Sequence, residues 1–322
     1  MRAKIIGTGS FLPKKIATNN DLSALMDTSD EWIKSRTGIC ERHLVSSQSE
    51  NTLSMAVNAG KSALENAGLL PEEIDLILVA TVSSDYITPS TACMVQKELH
   101  AVHAAAFDIN AACSGFLFAL NTADAYFQAG IYRTALIIGV ETLSKLVDWN
   151  DRSTCVLFGD GAGAAVLKAS QDGMIASLQG SNGAKGDALV CKSRTNNNPY
   201  ISTDASPSYL YMDGKEIFKF AVKKEPECIQ ELLAQTGLAP SDITWYLLHQ
   251  ANQRIIASIA KKLKLPLDKF PSNVHHCGNT SAASIPILLD EVHRAGKLKE
   301  GDLLLLSGFG AGLTWGAALL KW

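Results

Sequence analysis

The sequence predicts an α/β protein of layered, mostly parallel sheets arranged in two similar halves. Three observations carry that reading. Strand-like and helix-like segments alternate along the chain. Several stretches recur in one order at a fixed offset. The strand segments are apolar throughout, as in sheets covered on both faces. The composition fits: of 322 residues, 47% are hydrophobic and 19% charged, against roughly 25% charged in an average soluble protein. That excludes a disordered chain. A net charge of −3 argues against a general nucleic-acid binder, which needs a basic excess. The low charge fraction also points to surface buried in an obligate oligomer.

Taken in order, MRAKIIGTGSFLP has no long apolar segment and so no secretory signal. Apolar periodicity predicts a helix from Leu53 to Ala67, ended by Gly68, then a Pro turn and a buried strand, Leu76 to Ala80. A helix near Pro89–His100, a strand at Ala104–Ile109 and a helix from about Ser114 to Gly130 follow. That last helix buries Phe116, Leu120, Ala123 and Phe127 on one face. Strands are expected at Ala135–Val140, Cys155–Phe158 and Ala164–Leu167. Asp187–Ser208 is a polar excursion long enough for a lid or binding loop. Beyond it come a helix near Ile217–Gln235, the strand Trp245–Leu248, and helices from Gln250 and Thr280. Leu303–Leu320 is uncharged over 18 residues, long enough to raise a membrane span. Gly308, Gly310, Gly312 and Gly316 interrupt it, so it reads as two buried strands around a glycine-rich turn, with no membrane.

The repeat organises these elements. GLLPEEIDLIL from Gly68 matches GLAPSDITWYL from Gly237, an offset of 169 residues. The same offset sets Asn110 on Asn279 and Gly139 on Gly308, and GAGAAVLK from Gly161 echoes GAGLTWGAALLK from Gly310. The expected halves are 1–170 and 171–322, the first carrying a candidate nucleophile and the second a His and an Asn.

The seven cysteines are widely spaced, with no CxxC. That fits a reduced, cytoplasmic protein rather than a disulfide framework or zinc site. Cys113 lies between a strand and a helix among small residues. A thiol at a helix N-terminus is expected to have a lowered pKa and act as a nucleophile; the competing reading is a buried structural cysteine. Cys93, Cys155 and Cys228 take that second reading. His249 directly follows the strand WYLL, and ligand-binding groups collect at carboxyl ends of strands; otherwise it is a hydrogen-bonded surface histidine. Asn279 reads alone as an N-cap, but the repeat maps its loop onto that of Cys113. His275, His276 and Cys277 raise a metal site, yet neighbours in extended chain point apart and no carboxylate follows, so no metal is expected. The clusters Gly159–Gly163 and Gly308–Gly312 lack a phosphate-loop signature and read as tight backbone crossings, with N–H groups available for an oxyanion. Arg254, Lys261 and Lys262 share one helix face, either a solvated face or a docking patch for an acidic partner.

Cys113 in NAACSGF, His249 in LLHQANQRI and Asn279 in GNTSAASIP together resemble a type III β-ketoacyl-acyl-carrier-protein synthase. The likeness covers nearly the whole chain, including GTGSFLP, TSDEWIKSRTGI, CVLFGDGAGA, MDGKEIFKFAV and GFGAGLTWGAALL. It implies the thiolase-like fold, two duplicated halves in five αβαβα layers, and a homodimer. It also implies an acyltransferase that initiates fatty-acid synthesis. Acyl-CoA acylates Cys113, and malonyl-acyl-carrier protein then loses carbon dioxide and attacks the acyl-enzyme. His249 and Asn279 would stabilise the decarboxylation, and the N–H groups of Cys113 and Ala311 would form the other oxyanion site. Trp32, Arg36, Arg152 and Asn252 would bind CoA, a substrate rather than a resident cofactor. Lys219, Arg254, Lys261 and Lys262 would dock the carrier protein. Thr88, Met212 and Phe218 would line the acyl pocket. Two departures stand out: Cys277 where the family often has Tyr, and Thr88 where acetyl-preferring members carry Phe, which implies room for a longer starter. The alternatives are a quinolone or polyketide ketosynthase or non-decarboxylating acyltransferase of the same fold, and a non-catalytic acyl-binding protein with a redox-sensitive thiol.

Overall fold

A computed structural model describes residues 1–201 and 208–322. In chain order, the first part holds β1 (Arg2–Phe11), β2 (Lys15–Thr18), α1 (Asn19–Ser23), α2 (Asp30–Thr37), β3 (Glu41–Leu44), α3 (Thr52–Ala67), β4 (Leu76–Ala80), α4 (Thr91–Leu99), β5 (Ala105–Ile109), α5 (Gly115–Gln128), β6 (Thr134–Glu141) and β7 (Gly161–Ser170). The remainder holds β8 (Met174–Ser181), β9 (Leu189–Val190), β10 (Tyr211–Met212), α6 (Gly214–Thr236), β11 (Trp245–Leu248), α7 (Gln253–Leu263), α8 (Val274–Cys277), α9 (Ser284–Arg294), β12 (Leu303–Gly310) and β13 (Thr314–Lys321).

Two sheets form the frame, in the orders β1-β7-β6-β4-β5 and β11-β12-β13-β8. Three groups of apolar side chains divide the molecule into five layers. Between the sheets, Phe116, Leu117 and Leu120 of α5 and Leu288 and Leu289 of α9 pack with Leu76 and Leu78 of one sheet and Leu247 and Leu304 of the other. On the outer face of the first sheet, Met55 and Ala59 of α3 and Val95 of α4 meet Ile77 and Val79. On the outer face of the second, Ile229 of α6 and Ile256 of α7 meet Tyr246, Leu305 and Leu319. Successive residues of β4 therefore point into different cores, and both need to be apolar. This explains the unbroken apolar runs and the uncharged C-terminal stretch, which is the hairpin β12–β13. Among the described residues, no helix is long and apolar enough to cross a membrane.

Two expectations need correction. The sheets are mixed: β4 is parallel to β5 and β6, and β11 to β12, but β1–β7, β6–β7, β12–β13 and β13–β8 are antiparallel. Parallel neighbours need a crossover of a dozen or more residues; the turn between Gly310 and Thr314 leaves room only for a hairpin. Cys155–Phe158 is not a strand. Thr154 N and Cys155 N donate to Asp151 O, winding the segment into turns, and only Phe158 makes a bridge, to Asn279. Of the predicted excursion, residues 202–207 lie outside the described residues; its flanks pair as the ribbon β9–β10.

One buried charge site makes a stability prediction. Glu225 in α6 is 1% exposed, with the Ser307 hydroxyl nearby but neither carboxyl oxygen in hydrogen-bond geometry. Burial pushes its carboxyl from 4.5 up to about 8, because the charged form loses its solvation. The folded chain thus holds this proton more tightly than the unfolded chain. Its contribution is complete below about pH 4.5 and is lost as pH rises through about 8. Denaturant midpoints measured at pH 6 and pH 9 should fall less in Glu225→Gln than in the native chain; an equal fall in both would refute the assignment.

Candidate active site

Cys113, His249 and Asn279 come from separate segments and line one cavity of about 550 Å³. Cys113 sits in the turn Ala112–Ser114 that leads into α5. The preceding Ala112 has φ +46°, and Ser281, which precedes Ala282 at the same offset of 169, has φ +49°. Non-glycine residues rarely take this left-handed backbone, so two loops matched in sequence also share an unusual conformation. Close backbone approach brings them together. A Cβ on Gly139 would lie 2.1 Å from Ala282 O, and one on Gly310 would lie 2.7 Å from Cys113 N. The glycine-rich segments are crossings too: a Cβ on Gly159 would lie 2.2 Å from Cys277 O, and the second segment places the 310–312 turn against the Cys113 backbone. Ala311 lines a second cavity of about 660 Å³, to which Cys113 also contributes, so the thiol stands where two cavities meet.

The electrostatics of the thiol differ from the expectation of a lowered pKa. Cys113 is 8% exposed, and burial pushes its pKa up to about 12. The Ser281 hydroxyl opposes this and the Glu141 carboxyl adds to it. Desolvation disfavours the thiolate, so the resting thiol is protonated. His249, 2% exposed, is shifted by burial down to about 3 and is neutral at any working pH. Its Nδ1 lies 2.6 Å from Ser284 Oγ, and Gln250 N–H donates to that same oxygen at 3.4 Å. A neutral ring whose Nδ1 accepts the Ser284 hydroxyl proton carries its own proton on Nε2. Asn279 Oδ1 accepts from Ser281 N–H at 2.9 Å, orienting the amide so that Nδ2 is the end left as donor. Two neutral N–H donors and a thiol thus share one cavity wall. This arrangement suits a reaction in which negative charge develops on an oxygen.

The other sequence-predicted residues divide. Trp32, Arg36, Asn252, Met212, Phe218, Lys219 and Arg254 line the first cavity. Arg36 and Arg152 lie over the Trp32 ring at 4.6 and 5.2 Å, and Arg152 is held by Asp27 at 3.1 Å. The Asn252 amide is used internally: it caps α7 through Arg254 N and donates to Arg36 O at 3.0 Å. Arg254 stacks on Phe218 at 5.6 Å. Lys261 and Lys262 are exposed in the last turn of α7, away from both cavities, and Lys262 Nζ donates to Val222 O. Lys219 pairs with Glu216 at 2.8 Å. Thr88 is exposed and lines neither cavity within this chain.

Sequence reasoning missed Ser284, Ser281 and Glu141. Glu141 is fully buried; it accepts from Ser83 Oγ at 2.5 Å, Val82 N at 3.1 Å and Ser281 Oγ at 3.2 Å. Burial pushes its carboxyl up to about 7. It sits at the end of β6, so the strand-end argument that selected His249 would have selected it too.

Family models described as 3-oxoacyl-[acyl-carrier-protein] synthase III and its C-terminal part match residues 107–183 and 233–322. The beta-ketoacyl-[acyl-carrier-protein] synthase III of Clostridium acetobutylicum is 50% identical over 321 residues, spanning 99% of this chain and 98% of that one. The crystal structure of 3-oxoacyl-[acyl-carrier-protein] synthase III from Aquifex aeolicus superposes with a TM-score of 0.93 at 46% identity, over 99% of this chain and 100% of that chain. The priming β-ketosynthase of the R1128 polyketide pathway superposes with a TM-score of 0.93 at 35% identity, over 99% of this chain and 96% of that chain.

Proposed function

The chain belongs to the β-ketoacyl-acyl-carrier-protein synthase III family, and on that premise we propose how its residues divide the reaction. An acyl-CoA starter gives its acyl group to Cys113 Sγ; the thiol proton leaves with CoA as its free thiol. Malonyl-acyl-carrier protein then loses carbon dioxide, and its electron pair attacks the acyl-enzyme carbonyl. The Cys113–acyl bond breaks, 3-oxoacyl-carrier protein is released, and the Cys113 thiolate takes a proton from solvent to restore the resting thiol. The observation that carries this reading is the convergence of Cys113, His249 and Asn279 on one cavity whose lining also holds Arg36, Lys219 and Arg254. Those cations suit the phosphate groups of CoA and of the carrier's prosthetic arm, with Trp32 available to stack on adenine. Exposed Lys261 and Lys262 on α7 extend the positive face toward an acidic carrier protein.

Three finer readings go with it. The protein works in the cytoplasm. It is a homodimer: β5 is an edge of the first sheet, and Phe107 on it lies with Tyr86, Ile87 and Val102 among the exposed large apolar residues, a pattern monomers avoid. Thr88 then caps the acyl pocket of the partner, and the second cavity, lined by Leu143, Leu146 and Leu189, takes a starter longer than acetyl. The R1128 relative favours polyketide priming as a second reading.

Product analysis with a series of acyl-CoAs and malonyl-carrier protein tests these assignments. We expect 3-oxoacyl-carrier protein from acetyl and longer starters; strict use of acetyl-CoA would remove the Thr88 reading. Lys261→Glu should raise the KM for malonyl-carrier protein several-fold at low salt and leave acylation by acyl-CoA unchanged. An unchanged KM would remove α7 from the docking surface.

A further inference from the structure

We propose that His276, Cys277 and Glu291 form a binding site for a divalent transition-metal ion of the zinc class. In an extended chain the neighbouring side chains of His276 and Cys277 would point apart. The structure instead winds Val274–Cys277 into a helical turn, α8, where neighbours are about 100° apart. The missing carboxylate arrives from α9, as Glu291. His276 Nε2 lies 3.1 Å and Cys277 Sγ 3.8 Å from Glu291 Oε1, and all three donor atoms fall within 4.8 Å of one another. Tetrahedral zinc, with bonds of about 2.0–2.3 Å, sets its ligand atoms about 3.3–3.6 Å apart. The observed pairs bracket that spacing, so modest side-chain rotation admits the ion.

The donor chemistry is selective. Imidazole, thiolate and carboxylate together favour zinc or cobalt over magnesium or calcium, which take oxygen sets. The site is also supported. His275 Nε2 lies 3.1 Å from His276 Nδ1, a contact that orients the ligating ring from behind. Cys277 N donates to Asn273 O at 3.0 Å, and a Cβ on Gly159 would lie 2.2 Å from Cys277 O, so the backbone under the thiol is fixed. The His276 and Glu291 side chains are about one-third exposed (32% and 33%), while Cys277 is 1% exposed. The ion therefore enters from the His–Glu side and keeps a solvent-facing fourth position. Binding breaks the S–H bond of Cys277 and the His276–Glu291 pair; the thiol proton goes to solvent, the ring proton of His276 moves from Nε2 to Nδ1, where it faces His275 Nε2, and the thiolate, the freed Nε2 and the carboxylate take the metal. Cys277 is two residues from Asn279, so the ion would brace the loop that carries this amide.

Titration of the intact chain with zinc alone, and separately with cobalt, tests the site. We expect one ion per chain, at least tenfold weaker binding in each of His276→Gln, Cys277→Ser and Glu291→Gln, and a rise of a few degrees in melting temperature on adding zinc. The cobalt complex should show a thiolate-to-metal charge-transfer band that Cys277→Ser loses and Cys191→Ser keeps. Every variant at the site retains Cys113 and the exposed Cys93 and Cys191, so binding at those thiols would survive the substitutions. Survival of the band in Cys277→Ser, or no saturable binding by the native chain, overturns the proposal. Should Cys277→Ser fold poorly, the partly exposed His276→Gln and Glu291→Gln decide it through affinity.

Discussion

Mass spectrometry after mixing with acetyl-CoA should find one acetyl group on the native chain and none on Cys113→Ala. The same substitution should lower condensation by on the order of 10⁴-fold or more, because loss of a nucleophile removes the covalent route altogether. Decarboxylation of malonyl-carrier protein should persist in Cys113→Ala, since it relies on His249 and Asn279. An adduct that survives the substitution would place the nucleophile elsewhere; six other cysteines are available. The pH dependence adds an independent check. With burial holding the thiol near 12, the thiolate fraction, and with it the rate of alkylation of unliganded Cys113 by iodoacetamide, should climb about tenfold per pH unit from pH 6 to pH 9. A plateau below pH 8 would mean that the start of α5 outweighs burial after all.

Much of this site is legible in the sequence, for specific reasons. The strand before His249 is predicted with its observed bounds, so the strand-end argument finds that residue, and the predicted strand-to-helix junction finds Cys113. Asn279 is legible through the repeat, and the shared left-handed backbone at Ala112 and Ser281 shows that the repeat reaches backbone geometry. What a linear reading misses depends on packing between distant segments. Ser284 meets His249 Nδ1 across 35 residues, and Glu141 meets Ser281 across 140. Burial is illegible for the same reason: small residues around Cys113 suggest an open, dipole-activated thiol, whereas Gly310, distant in sequence, packs against the Cys113 backbone and the residue is 8% exposed. The antiparallel strands were readable but missed, since apolar runs look alike in either orientation and only the short turn after Gly310 carries the information.

The second large effect is expected at the two donors. Decarboxylation transfers an electron pair from the breaking C–C bond onto the thioester oxygen, so donors that strengthen as that charge forms lower the barrier without tightening the ground state. Neutral His249 offers Nε2–H, its other nitrogen being taken by Ser284, and Asn279 offers Nδ2, its oxygen being taken by Ser281 N–H. Neither group requires a change of protonation, and both are preorganised by those bonds. Removing one such donor costs about 2.7–4 kcal/mol, or on the order of 10²–10³-fold in rate. His249→Ala and Asn279→Ala should each reduce decarboxylation by that factor and leave acylation of Cys113 by acetyl-CoA within a few-fold of native. Ser284→Ala should give a smaller loss of decarboxylation through His249 alone, because the ring can then place its proton on either nitrogen. Single-turnover acylation and carbon dioxide release, followed separately, distinguish the steps. Equal damage to both steps would mean that His249 and Asn279 serve nucleophile activation, with the burial-raised thiol of Cys113 as the group in need of it.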